Sequence, residues 1–103
     1  MTKFFIKWWV DTAKTPDTPQ EVVKLMSRFL EMIKADLSAG KYTDWGQFSN
    51  GREGYAISEL SESEIFAILL TRMPVIEFEV FPILSVDQSM EAGKKAAVAM
   101  QGK

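Results

Sequence analysis

The segment Phe4–Val10, reading Phe-Phe-Ile-Lys-Trp-Trp-Val, is apolar on both sides of an extended chain and carries a single charge, Lys7. With side chains alternating in period two, Phe4, Ile6, Trp8 and Val10 fall on one face and Phe5, Lys7, Trp9 and Asp11 on the other. Its aromatic and β-branched residues favour a strand over a short helix. A strand that is apolar on both faces needs a cover on each, which places it at the centre of a sheet. Every other element is constrained by that requirement.

The stretch Asp11–Asp17 has little to bury and reads as a loop. Thr18-Pro19-Gln20-Glu21 then predicts a helix start, because Thr18 caps, Pro19 suits the first helical position and Glu21 completes a capping box. Val22, Leu25, Met26, Phe29, Leu30, Ile33 and Leu37 form a stripe that lies on a core, and Gly40 is the expected terminator of a helix over 19–39. Tyr42–Ser49 and Gly54–Leu60 read as strands joined through Asn50-Gly51, which supplies the positive φ of a tight hairpin turn. Gly51 and Gly54 lack a following helix N-terminus, so they do not read as a phosphate loop.

Ser61-Glu62-Ser63-Glu64 is a second capping box, opening a shorter helix that Pro74 ends. Val75–Leu84 is the last strand, with Glu77, Glu79, Phe81 and Ile83 on one face; Pro82 donates no ladder bond, which places this strand at an edge or Pro82 near its end. Residues 1–86 therefore read as one α+β domain, and 87–103 as an Ala-rich tail that is either a weak helix or a dimer arm.

The order of elements is the split pattern of the ferredoxin-like fold, βαββαβ. It predicts a four-stranded antiparallel sheet of order 4-1-3-2 with the two helices on one face. The other face, with Phe5, Trp9, Phe81 and Ile83, then needs a cover that the chain does not contain. A second copy of the same sheet is the simplest one, giving a homodimer.

Composition excludes several classes of function. Twelve basic and fourteen acidic residues leave a net charge of −2, and no Lys or Arg cluster exceeds Lys94-Lys95, so nucleic acid is not an expected partner. Cysteine and histidine are absent, which removes disulfides, thiolate nucleophiles, the usual zinc sites and imidazole bases. No metal or organic cofactor is expected, and proton transfer falls to carboxylates, Lys, Tyr or water. The N-terminal apolar run is too short and too charged for a signal peptide or a membrane span, which leads to an expected cytoplasmic location without membrane partners.

Gly40 with Tyr42 opening the second strand, Tyr55-Ala56-Ile57-Ser58-Glu59-Leu60 running into a helix cap, and Met73-Pro74 before Glu77-Phe78-Glu79-Val80 carry a family resemblance. On these residues, over Phe4–Leu84, the chain resembles the dimeric α/β-barrel superfamily and is most similar to its muconolactone isomerase-like members. The resemblance implies a paired-sheet barrel with a small-molecule pocket in each subunit. It also implies cofactor-free chemistry, by an isomerase or an oxygenase, on a small apolar or aromatic-derived acid or lactone. Proteins of this fold also include non-catalytic binding and accessory modules.

The candidate catalytic residues are Lys7, Glu77 and Glu79, which the sheet order brings to one face. One reading makes a buried carboxylate the proton shuttle and Lys7 the stabiliser of an anion; the other makes them an ion pair that fixes strand register or subunit pairing. Trp9, Trp45 and Tyr55 are candidate walls for an apolar ligand, and Arg72 a candidate partner for a ligand carboxylate. Met26, Met32 and Met73 read as core filler.

Overall fold

A computed structural model describes residues 2–101; residues 1, 102 and 103, at the ends of the two expected segments, lie outside the described residues. The chain forms β1 (Lys3–Val10), α1 (Pro19–Ser38), β2 (Asp44–Gln47), β3 (Glu53–Ser58), α2 (Glu62–Leu70), β4 (Ile76–Ile83) and α3 (Val86–Gln101), with a 3-10 turn at Thr12–Lys14. It is an α+β protein with a four-stranded antiparallel sheet, compatible with a ferredoxin-like fold. The sheet order is β2-β3-β1-β4, which counted from the β4 edge reads 4-1-3-2, and β1 lies between β3 and β4.

The two faces of β1 have different covers. Phe4, Ile6 and Trp8 are buried in one core with Ala56 and Ile76 of the sheet, Phe29 and Ile33 of α1, and Ile65 and Leu69 of α2. Both helices thus lie against this face. Trp8 stacks on Trp45 at 5.4 Å between ring centroids and meets Phe29 edge-on at 5.5 Å. Gly54 makes the first contact possible, since a Cβ there would be driven into the Trp8 indole and the Gly46 carbonyl.

Local chemistry sets the helix ends. The Thr18 hydroxyl accepts from the Glu21 amide at 3.3 Å, so only the Thr18 half of the first capping box forms among the described residues. Both halves form in the second: the Glu64 amide donates to the Ser61 hydroxyl at 3.3 Å, and the Ser61 amide to the Glu64 carboxylate at 3.2 Å. The Ser61 hydroxyl, which also donates to the Glu64 carboxylate at 2.8 Å, and secondly the Ser61 amide hold that carboxyl below its usual range.

Several boundaries differ from the sequence pattern. β2 starts at Asp44, after a buried Tyr42 that belongs to the core. In the hairpin only Gly51 has positive φ, at 76°, and Asn50 instead accepts the Arg52 amide through its side chain at 2.9 Å. α2 ends at Leu70, ahead of Pro74, because the Thr71 hydroxyl takes the Ile68 carbonyl at 2.6 Å and closes the last turn. Over its described residues, 87–101, the tail belongs to a continuous helix, α3, with no buried residue. No helix among the described residues is long and apolar enough to cross a membrane.

Candidate functional site

Where β1 ends and β3 and β4 begin, a cavity of about 420 Å³ opens beside the first half of α1, a size typical of small-molecule pockets. Val10, Val75 and Ile76 form its floor and Val22, Leu25 and Phe29 its helical wall. Met26, Met32 and Met73, expected as core filler, line it too, and Met32 and Met73 reach solvent. Their unbranched thioethers suit an adaptable wall.

The loop after β1 closes one side of the cavity. Its 3-10 turn is capped by the Asp11 carboxylate, which accepts the Ala13 amide at 3.0 Å, and the Asp11 amide ties it to the Val75 carbonyl at 2.8 Å. Thr12 and Thr15 face the cavity from this loop, and Thr71 from the end of α2. The charged lining groups are Arg28, Arg52 and Arg72, and no acidic residue lines the space.

Arg72 is the most constrained of the three. Its side chain is 10% exposed and donates from Nη2 to the Asp36 carboxylate, itself 8% exposed, at 2.6 Å. Nη1 donates to the Thr71 hydroxyl, and Nε is buried without a partner. Lys41 lies 3.6 Å from the other Asp36 oxygen at the surface. The adjoining Tyr42 hydroxyl is pushed up to about 12, first by burial and then by the Asp36 carboxylate, with Arg72 pulling the other way. Arg28 and Arg52 take part in no ion pair among the described residues.

On the opposite side of the sheet the register builds three rows. Ile57, Phe5 and Phe81 lie side by side; Tyr55, Lys7 and Glu79 form the next row; Glu53, Trp9 and Glu77 the third. Tyr55 stacks on Phe5 and donates to the Asp44 carboxylate at 2.8 Å, a bond that is the main cause of its raised pKa. The Trp9 indole donates to Glu77 at 2.6 Å, and Lys7 Nζ lies 6.0 Å from the Trp9 ring centroid.

The sheet thus brings Lys7, Glu77, Glu79, Trp9 and Tyr55 to one face, but not into a buried acid-base pair. Lys7 forms no ion pair with either glutamate among the described residues. Glu77 is held by the Trp9 indole, and both glutamates are exposed to water, so this chain alone does not supply the burial that a proton shuttle requires. Trp9 and Glu77 line a separate depression of about 460 Å³ that also holds Asp11 and Lys14. Trp45 is half-buried, packed against the core on Trp8 and Phe29, and lines neither space. Arg72 alone among the expected ligand-binding residues lines the cavity beside α1, and the carboxylate it binds is the protein's own Asp36.

Sequence reasoning passed over Arg28, Arg52, Thr12, Thr15 and Asp36. Asp36 carried a signal: it follows Phe29 and Ile33 at helical spacing, so it falls on the buried stripe of α1, where an acid requires a partner. No protein-family model matches the chain, and no curated protein matches it.

Proposed function

We propose that this chain is a small-molecule-binding module whose cavity takes a compact apolar acid, and that it works as a homodimer paired through its open sheet faces. The observation that carries the ligand reading is the lining itself: apolar walls in which the charged groups are three guanidiniums, two of them free of any ion pair among the described residues. Guanidinium forks match a carboxylate, and the apolar walls match its hydrocarbon body. The same lining argues against proton-transfer catalysis there, because it offers only Thr hydroxyls and always-protonated Arg. Dimerisation is supported by the half-buried and exposed apolar residues Phe5, Trp9, Ile57 and Phe81, which no element among the described residues covers.

Calorimetric titration with 4-phenylbutyrate and with the neutral 4-phenylbutanol tests the binding reading. The acid is expected to bind at least about tenfold more tightly than the alcohol, a difference of about 1.4 kcal/mol. In Arg28→Met/Arg52→Met the acid should fall to the level of the alcohol. Absence of binding by both compounds, with the chain folded, would show that the cavity is not a ligand site. Light scattering tests the sheet pairing: a mass of 11.7 kDa, that of one chain, would refute it.

One observation favours a second reading, a muconolactone isomerase-like enzyme. Lys7 sits directly between Tyr55 and Glu79, with Glu77 in the next row, so a second sheet stacked on this face would enclose an acid, a cation and a phenol together. In that case Lys7→Met and Glu79→Gln should each abolish turnover of an apolar lactone while leaving acid binding in the cavity intact.

A further inference from the structure

Helix α3 leaves the body of the protein altogether. The radius of gyration is 17.9 Å and the longest dimension 64 Å, against about 13 Å for the radius of a compact chain of this length. None of its residues is buried; Val86 is 75% exposed, Met90 59% and Met100 68%. An isolated helix of 16 residues is marginal in water, so its stability calls for something packed against it.

Its sequence has two distinct sides. Val86, Met90, Gly93, Ala97 and Met100 recur at spacings of four and three, one continuous seam. Glu91 and Lys95, one turn apart on the reverse side, form a solvated charged face. Gly93 has no role within the chain, since a Cβ there would meet nothing within 4 Å, yet it costs about 1 kcal/mol relative to Ala in a helix. A glycine in the middle of a seam makes sense where another helix comes close.

Charge identifies that helix. Asp87 and Lys94 flank the seam on the same edge, seven residues apart. When two copies of α3 are laid antiparallel about a two-fold axis near residues 91 and 92, Asp87 of each falls beside Lys94 of the other, giving two equivalent ion pairs. The same alignment sets Met90 against Gly93 and Val86 against Ala97, a large side chain facing a small one at each of these layers. A parallel pairing would put Met90 on Met90 and Gly93 on Gly93, and would leave Asp87 and Lys94 on opposite flanks of the pair with no ion pair between them.

We infer that α3 is an assembly arm whose partner is α3 of a second copy of this chain, paired antiparallel through the Val86–Met90–Gly93–Ala97 seam. The contact is separate from pairing of the open sheet faces and can be tested independently of it.

The chain contains no cysteine, so engineered pairs report without background. Within one helix, positions 87 and 94 are about 10.5 Å apart along the axis, too far for a disulfide, which needs Cα atoms within about 7 Å. Mild oxidation of Asp87→Cys/Lys94→Cys should therefore give a covalent dimer, and neither single variant should. Dimer formed by the single variants as readily as by the double variant would show that pairing does not bring 87 to 94 and overturn the inference, as would no dimer from the double variant. By sedimentation, Asp87→Lys should halve the mass of the native assembly and Asp87→Lys/Lys94→Asp should restore it. Both carry the same unfavourable charge at the helix N-terminus, so a double variant that stays dissociated while circular dichroism shows the helix intact would also overturn it.

Discussion

Replacing Asp36 by Ala isolates the most consequential polar contact in the fold. Asp36 and Arg72 come from α1 and the end of α2, and both side chains are about nine-tenths buried at a separation of 2.6 Å. Without the carboxylate, Arg72 keeps one hydrogen bond, to the Thr71 hydroxyl, while its Nε is already unpartnered. Breaking a buried pair by removing one member costs about 3–5 kcal/mol, because the remaining charge is stranded. A chain of this size has a total stability of about 5–15 kcal/mol, so the loss is a large share of the whole. With a urea slope of about 2 kcal/mol per molar, the unfolding midpoint should fall by about 2 M.

Urea titration followed by tryptophan fluorescence reads this directly, since Trp8 and Trp45 lie in the core that α1 covers, and protein concentration should be held fixed because assembly shifts the midpoint. The apolar replacement Asp36→Leu/Arg72→Leu should recover most of the loss, since it leaves no stranded charge. A shift below about 1 kcal/mol in Asp36→Ala, the range of an exposed ion pair, would refute the account.

Other perturbations test other parts of the structure. The Tyr42 phenol is neutral in the fold up to about 12, whereas an unfolded tyrosine ionises near 10.0. Its contribution is therefore complete below pH 10 and is lost as pH rises toward 12; denaturation midpoints should fall by about 2–3 kcal/mol equivalent across that window, and Tyr42→Phe should flatten the fall. Gly54→Ala should cost about 1–3 kcal/mol in thermal or urea unfolding by forcing the Trp8 ring off β3. Ser61→Ala removes the cap of α2 and should cost about 1 kcal/mol, seen in the same titration.

How far the sequence reaches can be judged from these residues. Thr18, Ser61 and Glu64 acted as their local pattern indicated, because a capping bond spans three residues and needs nothing from the rest of the fold. The alternation of Phe4, Ile6 and Trp8 against Phe5, Lys7 and Trp9 survived intact for the same reason, since pleating is a property of the strand itself. The packing of Trp45 on Trp8 and Phe29 is not legible in its own strand, because it depends on side chains from two other elements. Glu79, opposite Lys7, and Glu77, opposite Trp9, lie on the expected face but are exposed, since one chain cannot provide burial on an uncovered face.

What the sequence determined alone was the set of elements, the faces of β1, and an α+β architecture compatible with a ferredoxin-like sheet. Those follow from periodicity and short-range hydrogen bonding. Tertiary structure decided the rest: that Asp36 on α1 finds Arg72 beyond α2, that Arg28 and Arg52 converge with Arg72 on one apolar space, and that α3 stands clear of the body. Each depends on residues tens of positions apart being brought together, or kept apart, by packing. No local pattern encodes that distance, and it is where the candidate site is made.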